Sequence, residues 1–266
     1  MSLLTLAAVL LLPRAGDTAD GNPTPDVRLP PAHAPADYQL GGAYPPPDGT
    51  TLVVRDHQAA PAADAYNVCY VNAFQVQPGH TDDWPPDLLL RDADGRLVID
   101  RRWQEVLLDL STPDKRRRAA ARVGAWIDDC ADRGFDAVEP DNLDSYTRSQ
   151  RLLTQEHALA YAALLAERAH RHGLAVAQKN AAELTPHHRR MGTDFAVAEE
   201  CGQYDECDTY RTAYGDRVLV VEYTDTGLAR ACARWGHRLS VVRRDRTLTT
   251  PADPDYRYRT CATTTR

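Results

Sequence analysis

The chain has 266 residues, a formal net charge of -7 at pH 7, 43% hydrophobic and 26% charged residues. That length suits one large α/β domain, since barrel folds run as single domains of about 200–250 residues, and the polarity is too high for a membrane-embedded protein. The acidic balance argues against nucleic acid, whose binders carry a basic stripe against phosphate, and suits a neutral or cationic ligand.

Residues 3–12 form an apolar run of the length of a signal-peptide core, followed by Pro13, small residues and a polar, Pro-rich stretch. Residues 1–20 therefore read as an export signal and 21–36 as a linker, although the start carries no Lys or Arg and no clean A-x-A cleavage site. Nothing further along nears the roughly 18 consecutive apolar residues of a spanning helix. The cysteines agree with a secreted, extracellular protein: Cys69, Cys130, Cys201, Cys207, Cys232 and Cys261 make an even set with no C-x-x-C pair and few histidines nearby. Such a set favours disulfides over zinc and leaves 15 connectivities.

The segment 37–261 alternates short β-branched runs with longer amphipathic stretches, before a tail at 262–266. Strands are predicted at 37–43, 51–56 and 67–74, and a hairpin at 88–99 turning on Asp94-Gly95. A helix over 114–133 carries Ala119, Val123, Trp126, Ile127 and Cys130 at helical spacing, with Pro113 at its start and Gly134 past its end. Then come strand 135–139, helix 154–172 stopped by Gly173, strands 174–178 and 194–199, a helix near 205–214, strand 217–223, a helix near 226–235 and strand 238–243. Eight strands in regular βα alternation predict a (β/α)8 TIM-type barrel. Its helices should be irregular or missing in the first third, where Pro45-Pro46-Pro47 and the loop at Pro61 leave little room. An open doubly wound sheet is the alternative, but no G-x-G-x-x-G follows any strand.

In such a barrel the carboxyl ends of the strands converge on one mouth. Here those ends read Glu139-Pro140-Asp141-Asn142, Gln178-Lys179-Asn180, Glu199-Glu200 and Glu222-Tyr223, with Asn72 on the third strand. Period-two alternation aligns Glu139 and Asp141 on one face and sets Glu199, but not Glu200, toward the same mouth. Three neighbouring carboxylates cannot all ionise cheaply, which is how a general acid is made at neutral pH, and a carboxylate pair is the working part of most glycosidases. Asp144 reads instead as the cap of a local turn. The 31 basic residues include only two lysines, Lys115 and Lys179, so a lysine at a strand end suggests a compact ammonium among the carboxylates. Trp84, Tyr146, Tyr204 and Tyr223 are aromatic candidates for sugar faces, Trp84 foremost.

The segments YQLGGAY (38–44), CYVNAF (69–74), GFDAVEPDNLDSY (134–146), AVAQKNAAEL (175–184), FAVAEECGQYDEC (195–207) and VVEYTD (220–225) resemble the ordered motifs of glycoside hydrolase family 114, the endo-α-1,4-polygalactosaminidases. The resemblance covers about 37–261, and EPDN followed at this distance by E-x-C-x-x-Y-x-E-C is its specific part. It implies a (β/α)8 barrel, endo-cleavage of α-1,4-linked galactosamine polymers, and catalytic carboxylates at Asp141 and Glu199. The chain departs from the common family pattern at Ala198, where many members have Asn, and at Glu200, where they have Gln.

On this reading Asp141 is the nucleophile, or the base if the enzyme inverts, and Glu199 the general acid and base. Glu139, Asn142, Lys179 and Asn180 tune them and hold sugar hydroxyls or amines, with Asn72, Trp84, Tyr146, Tyr204, Glu222 and Tyr223 completing the substrate site. The partner is a polysaccharide bound by a monomer needing no cofactor or metal. A non-catalytic carbohydrate-binding barrel remains an alternative, as does a barrel in which Glu139, Asp141 and Glu199 hold Mg²⁺. If Asn72 faces the mouth, alternation turns Cys69 outward toward Cys130; the expected pairs are Cys69–Cys130, Cys201–Cys207 bracketing a mouth loop, and Cys232–Cys261 tying down the tail.

Overall fold

A computed structural model describes residues 26–261; the expected export signal and the tail beyond Cys261 lie outside them. In chain order the strands are β1 (Ala36–Gln39), β2 (Leu52–Asp56), β3 (Tyr66–Asn72), β4 (Gln75–Val76), β5 (Ile99–Asp100), β6 (Glu105–Leu107), β7 (Ala137–Asp141), β8 (Ala175–Lys179), β9 (Phe195–Glu199), β10 (Val218–Glu222), β11 (Ser240–Arg244) and β12 (Tyr258–Thr260). The α-helices are α1 (Pro113–Asp132), α2 (Gln155–Arg171), α3 (His188–Met191), α4 (Cys201–Tyr204), α5 (Cys207–Tyr214) and α6 (Asp225–Trp235). Eight strands run parallel in the order β1-β2-β3-β7-β8-β9-β10-β11, and β12 lies antiparallel on the outer edge of β11. This is a TIM-type barrel.

The two faces of each strand separate as period two requires. Ala36, Tyr38, Val54, Val68, Ala137, Ala177, Phe195, Val197 and Val221 fill the interior, while Cys69, Val71, Val138 and Val176 pack outward under α1 and α2. Helix ends are set by local chemistry. Thr112 accepts from the Lys115 N–H to open α1, with Pro113 as the first helical residue. Thr154 and His157 form a capping box on α2, and Thr224 accepts from the Gly227 N–H at α6.

The regular half runs from α1 onward. No helix connects β1 to β2 or β2 to β3, and between β3 and α1 the chain builds a small antiparallel sheet in the order β4-β6-β5. The expected hairpin belongs to this insertion: the Asp92 N–H donates to the Arg96 carbonyl and the Val98 N–H to the Leu90 carbonyl. Gly95 alone takes the positive φ of the turn, at 79°.

The seam between first and last barrel strands has no ladder. Buried Arg244 on β11 reaches Asp37 Oδ1 on β1 at 3.1 Å and also donates to the Tyr38 carbonyl. Ser240 Oγ accepts from the Ala34 N–H at 2.8 Å. Residues 26–35, in the sequence the end of a Pro-rich linker, are thus partly docked on the barrel: Ala34 is buried and the Arg28 carbonyl accepts from the Tyr66 hydroxyl. Disulfides join Cys69 to Cys130, Cys201 to Cys207 and Cys232 to Cys261, the three expected pairs. Among the described residues no helix is long and apolar enough to cross a membrane.

Candidate active site

Four strand ends and two inward tyrosines build the mouth. On β7, Pro140 has no N–H to donate; the ladder to β8 stops at Val138 while that to β3 continues to Asp141, opposite Asn72. Directly past each of Asp141, Lys179 and Glu199 the backbone turns left-handed, at Asn142 (φ 69°), Asn180 (φ 50°) and Glu200 (φ 58°). Asparagine tolerates this region; for Glu200 it costs about 1 kcal/mol. These turns end the strands abruptly and leave their last side chains facing the cleft.

Lys179 is the centre of the site. Its side chain is only 3% exposed, and its Nζ lies 3.2 Å from Glu139 Oε1, 3.3 Å from Asp141 Oδ1 and 3.4 Å from Glu199 Oε2. Burial alone would lower its pKa, but the surrounding carboxylates, Asp141 and Glu199 foremost, raise it well above the ordinary lysine value. The surroundings thus favour the ammonium form, and it takes the position a hard cation would need among these three acids.

Each carboxylate has a different setting. Asp141 is pushed up by burial, yet Lys179, the Tyr70 hydroxyl at 2.8 Å from Oδ2 and the Asn142 N–H outweigh this and hold it below the ordinary range. It is an ionised carboxylate. Glu139 lies beneath it, wholly buried, with Tyr38 donating to Oε1 at 2.6 Å and Oε2 without a protein partner. Burial raises its pKa to about 7 even against Lys179 and Tyr38. Glu199 receives Asn180 Nδ2 at 2.8 Å on Oε2 and the Tyr223 hydroxyl on Oε1, while its own N–H donates to Asn180 Oδ1 at 2.8 Å. This two-way bond fixes the Glu199 side chain relative to β8.

These groups open into a cleft of about 600 Å³, lined by Tyr70, Asp141, Asn142, Lys179, Asn180, Glu199 and Tyr223 together with Glu200, Asp100, Arg102, Trp103, Glu105, Asp144, Arg148 and Arg246. Six of the residues singled out in the sequence, Asp141, Asn142, Lys179, Asn180, Glu199 and Tyr223, are gathered here, with Glu139 below them. Asn72 is buried at the edge and accepts from Asn142 Nδ2 at 3.0 Å.

Four others are placed elsewhere. Trp84, 5% exposed, packs edge-on to Trp126 under the Arg122 guanidinium, so its ring is core and not a sugar platform. Glu222 points outward from β10 because alternation gives the inward position to Tyr223; its Oε1 accepts the N–H groups of Gly202 at 2.7 Å and Gln203 at 3.3 Å at the start of α4. Tyr146 donates to Glu183 at 2.7 Å, outside the cleft lining, and Tyr204 is 64% exposed beyond the lining.

The sequence reading missed the cleft wall. Trp103, 51% exposed, stands in the lining where Trp84 is expected, and Glu105 on β6 follows two residues later. The run Asp100-Arg101-Arg102-Trp103-Gln104-Glu105 gives Trp103 only polar neighbours, which is a signal of exposure. Asp144, read as a turn cap, lines the cleft and pairs with Arg148 at 2.7 Å; Arg148 also binds Asp100 at 2.6 Å, tying the inserted sheet to the loop after β7. Tyr38 and Tyr70 were missed as well, though both are inward by alternation.

The sequence model of glycoside-hydrolase family GH114 matches residues 16–266. The chain belongs to this family. As a GH114 member it is a glycoside hydrolase, a chemistry that most such enzymes run on a pair of carboxylates. Among solved structures, Ega3 from Aspergillus fumigatus, crystallised in complex with galactosamine, aligns with a TM-score of 0.70 at 22% identity over 88% of this chain and 98% of that one. The glycoside hydrolase domain of PelA from Pseudomonas aeruginosa aligns with a TM-score of 0.55 at 15% identity, over 81% and 96%. Both likenesses support the barrel fold assigned to this GH114 chain. No curated protein matches the sequence.

Proposed function

We propose that this GH114 chain is a secreted endo-hydrolase of α-1,4-linked, partly deacetylated galactosamine polymers, with Asp141 as nucleophile and Glu199 as general acid and base. The observation that carries the reading is the shared contact of Asp141 and Glu199 with the Lys179 ammonium, at 3.3 and 3.4 Å, in the open cleft. Two oxygens so close to one nitrogen lie no more than about 7 Å apart, which favours retention, whose carboxyls stand about 5–5.5 Å apart, over most of the inverting range. The family's substrate, and the galactosamine in the Ega3 crystal, supply the sugar class. Three disulfides suit an oxidising, extracellular setting.

In the first step the ionised Asp141 carboxylate attacks the anomeric carbon as its bond to the glycosidic oxygen breaks, and Glu199 delivers a proton to that oxygen. Water then attacks the same carbon of the glycosyl ester, Glu199 takes its proton, and Asp141 leaves as carboxylate. Lys179, Tyr70 and the Asn142 N–H stabilise Asp141 as the leaving carboxylate in the second step.

The test is digestion of a galactosamine polymer, read as reducing ends and as the anomer formed first. Wild type should release oligomers whose first anomer is α, and Asp141→Asn should lose roughly 10⁴-fold in kcat. Glu199→Gln should lose polymer cleavage yet release an activated phenol in a single burst. Full activity of Asp141→Asn with Glu139→Gln dead would move the nucleophile to Glu139, and a β product would make the enzyme inverting.

A further inference from the structure

Most charges in the cleft are balanced within it. Asp141 and Glu199, like Glu139 beneath them, meet Lys179; Asp100 and Asp144 meet Arg148; Glu200 meets Arg246 at 2.8 Å. Glu105 is the exception: among the described residues it forms no ion pair; the Asn142 amide stands 3.4 Å from its Oε2, Asn72 lies beside it, and Arg148, already paired with Asp100 and Asp144, acts on it only from beyond ion-pair distance. It is half-buried on β6, against Asn142 and one residue from Gln104, whose left-handed backbone (φ 58°) separates it from Trp103. Arg102 is the lining's other unpaired charge, but it is exposed to water and lies over the Trp103 ring at 5.2 Å from the ring centre.

An anion withdrawn from water with no counter-ion is costly to keep. It lowers the free energy of any cation brought into the same cleft. We infer that Glu105 is the specificity residue of the cleft: it receives the ammonium of a deacetylated amino sugar, on the wall formed by the inserted sheet. The inference rests on the substrate class proposed above and assigns its recognition to one side chain. An N-acetyl group, neutral and bulkier, brings no charge to Glu105 and gains nothing from it. Burial also pushes the Glu105 carboxyl up to about 7, so an incoming ammonium has the further effect of favouring its ionised form.

The experiment compares wild type, Glu105→Gln and Glu105→Asp on deacetylated and N-acetylated galactosamine polymers. Wild type should prefer the deacetylated polymer. Glu105→Gln should raise KM for it by roughly tenfold with kcat nearly unchanged, while KM for the acetylated polymer stays put; activity on the latter also shows that the variant is folded. Glu105→Asp, which keeps the charge, should keep most of the preference. A preference that survives Glu105→Gln, or a loss shared equally by both polymers or confined to kcat, overturns the inference alone. A wild type that cleaves neither polymer overturns the substrate reading and the inference together.

Discussion

The two halves of the barrel are built differently and contribute different things. From β7 to β10 each strand is followed by helix, and these strands supply the charges: Glu139, Asp141, Lys179 and Glu199. The half from β1 to β6 lacks the usual helices and supplies neutral donors from inside, Tyr38 and Tyr70, and a wall from the inserted sheet, Trp103 and Glu105. A regular βα unit fixes a strand end from outside through its packed helix, which is what a reacting carboxylate needs. Loops without helices are free to vary in length, which is what a surface facing a variable polymer needs.

This division can be tested by removing one part at a time. Lys179→Met should do most damage, because it strips the shared cation from three acids: about 3–5 kcal/mol of stability, measured by urea unfolding. It should also move the acidic limb of the pH–rate profile to higher pH, since Asp141 loses the main group that holds its pKa down. An unchanged limb in a stable variant would separate Lys179 from catalysis. Tyr70→Phe, from the helix-poor half, removes only one hydrogen bond to Asp141; it should shift the same limb the same way but less, with kcat lower by about tenfold. A larger effect than that of Lys179→Met would reverse the ranking of the two halves.

Gly227→Ala tests the regular half at its outer layer. A Cβ there would stand 2.1 Å from Glu222 Oε2, so the buried carboxylate that holds the start of α4 must move. Thermal unfolding should show a loss of about 1–3 kcal/mol. Smallest is the effect of Glu139→Gln on the pH dependence of stability. The folded-state pKa of Glu139, about 7, exceeds the ordinary value of 4.5; its contribution is therefore fully present below about 4.5 and is lost as pH rises through 7. The Tm of the variant, relative to wild type, should rise by roughly 4 °C between pH 5 and pH 8. A constant difference would show that Glu139 does not titrate in this window.

Where periodicity is strong, the sequence was legible. The helices α1, α2 and α6 carry caps and an apolar stripe, and period two alone turned Glu139, Asp141 and Glu199 to one face and Cys69 to the other. Lys179 stood out by the rarity of lysine in an Arg-rich chain. The same alternation assigns Glu222 outward once Tyr223 is taken as inward. The cleft wall was another matter: β4, β5 and β6 have two or three residues each, too few for any period to show. Whether Trp84 or Trp103 reaches the cleft depends on how the insertion folds back over the barrel, a long-range matter that no local pattern encodes.

The ladder-free seam between β1 and β11 has a consequence for the order in which the molecule is made. Arg244 and β12 complete that junction, and both come off the ribosome after every other barrel strand. Until then Asp37 has no partner for its charge and the parallel sheet is an open ribbon with β1 as a bare edge, the kind of surface that pairs with neighbouring chains. The nascent protein is thus most exposed to aggregation just before residues 240–260 appear. Cys232–Cys261 ties the segment that carries β12 back to α6 and so holds the closed junction.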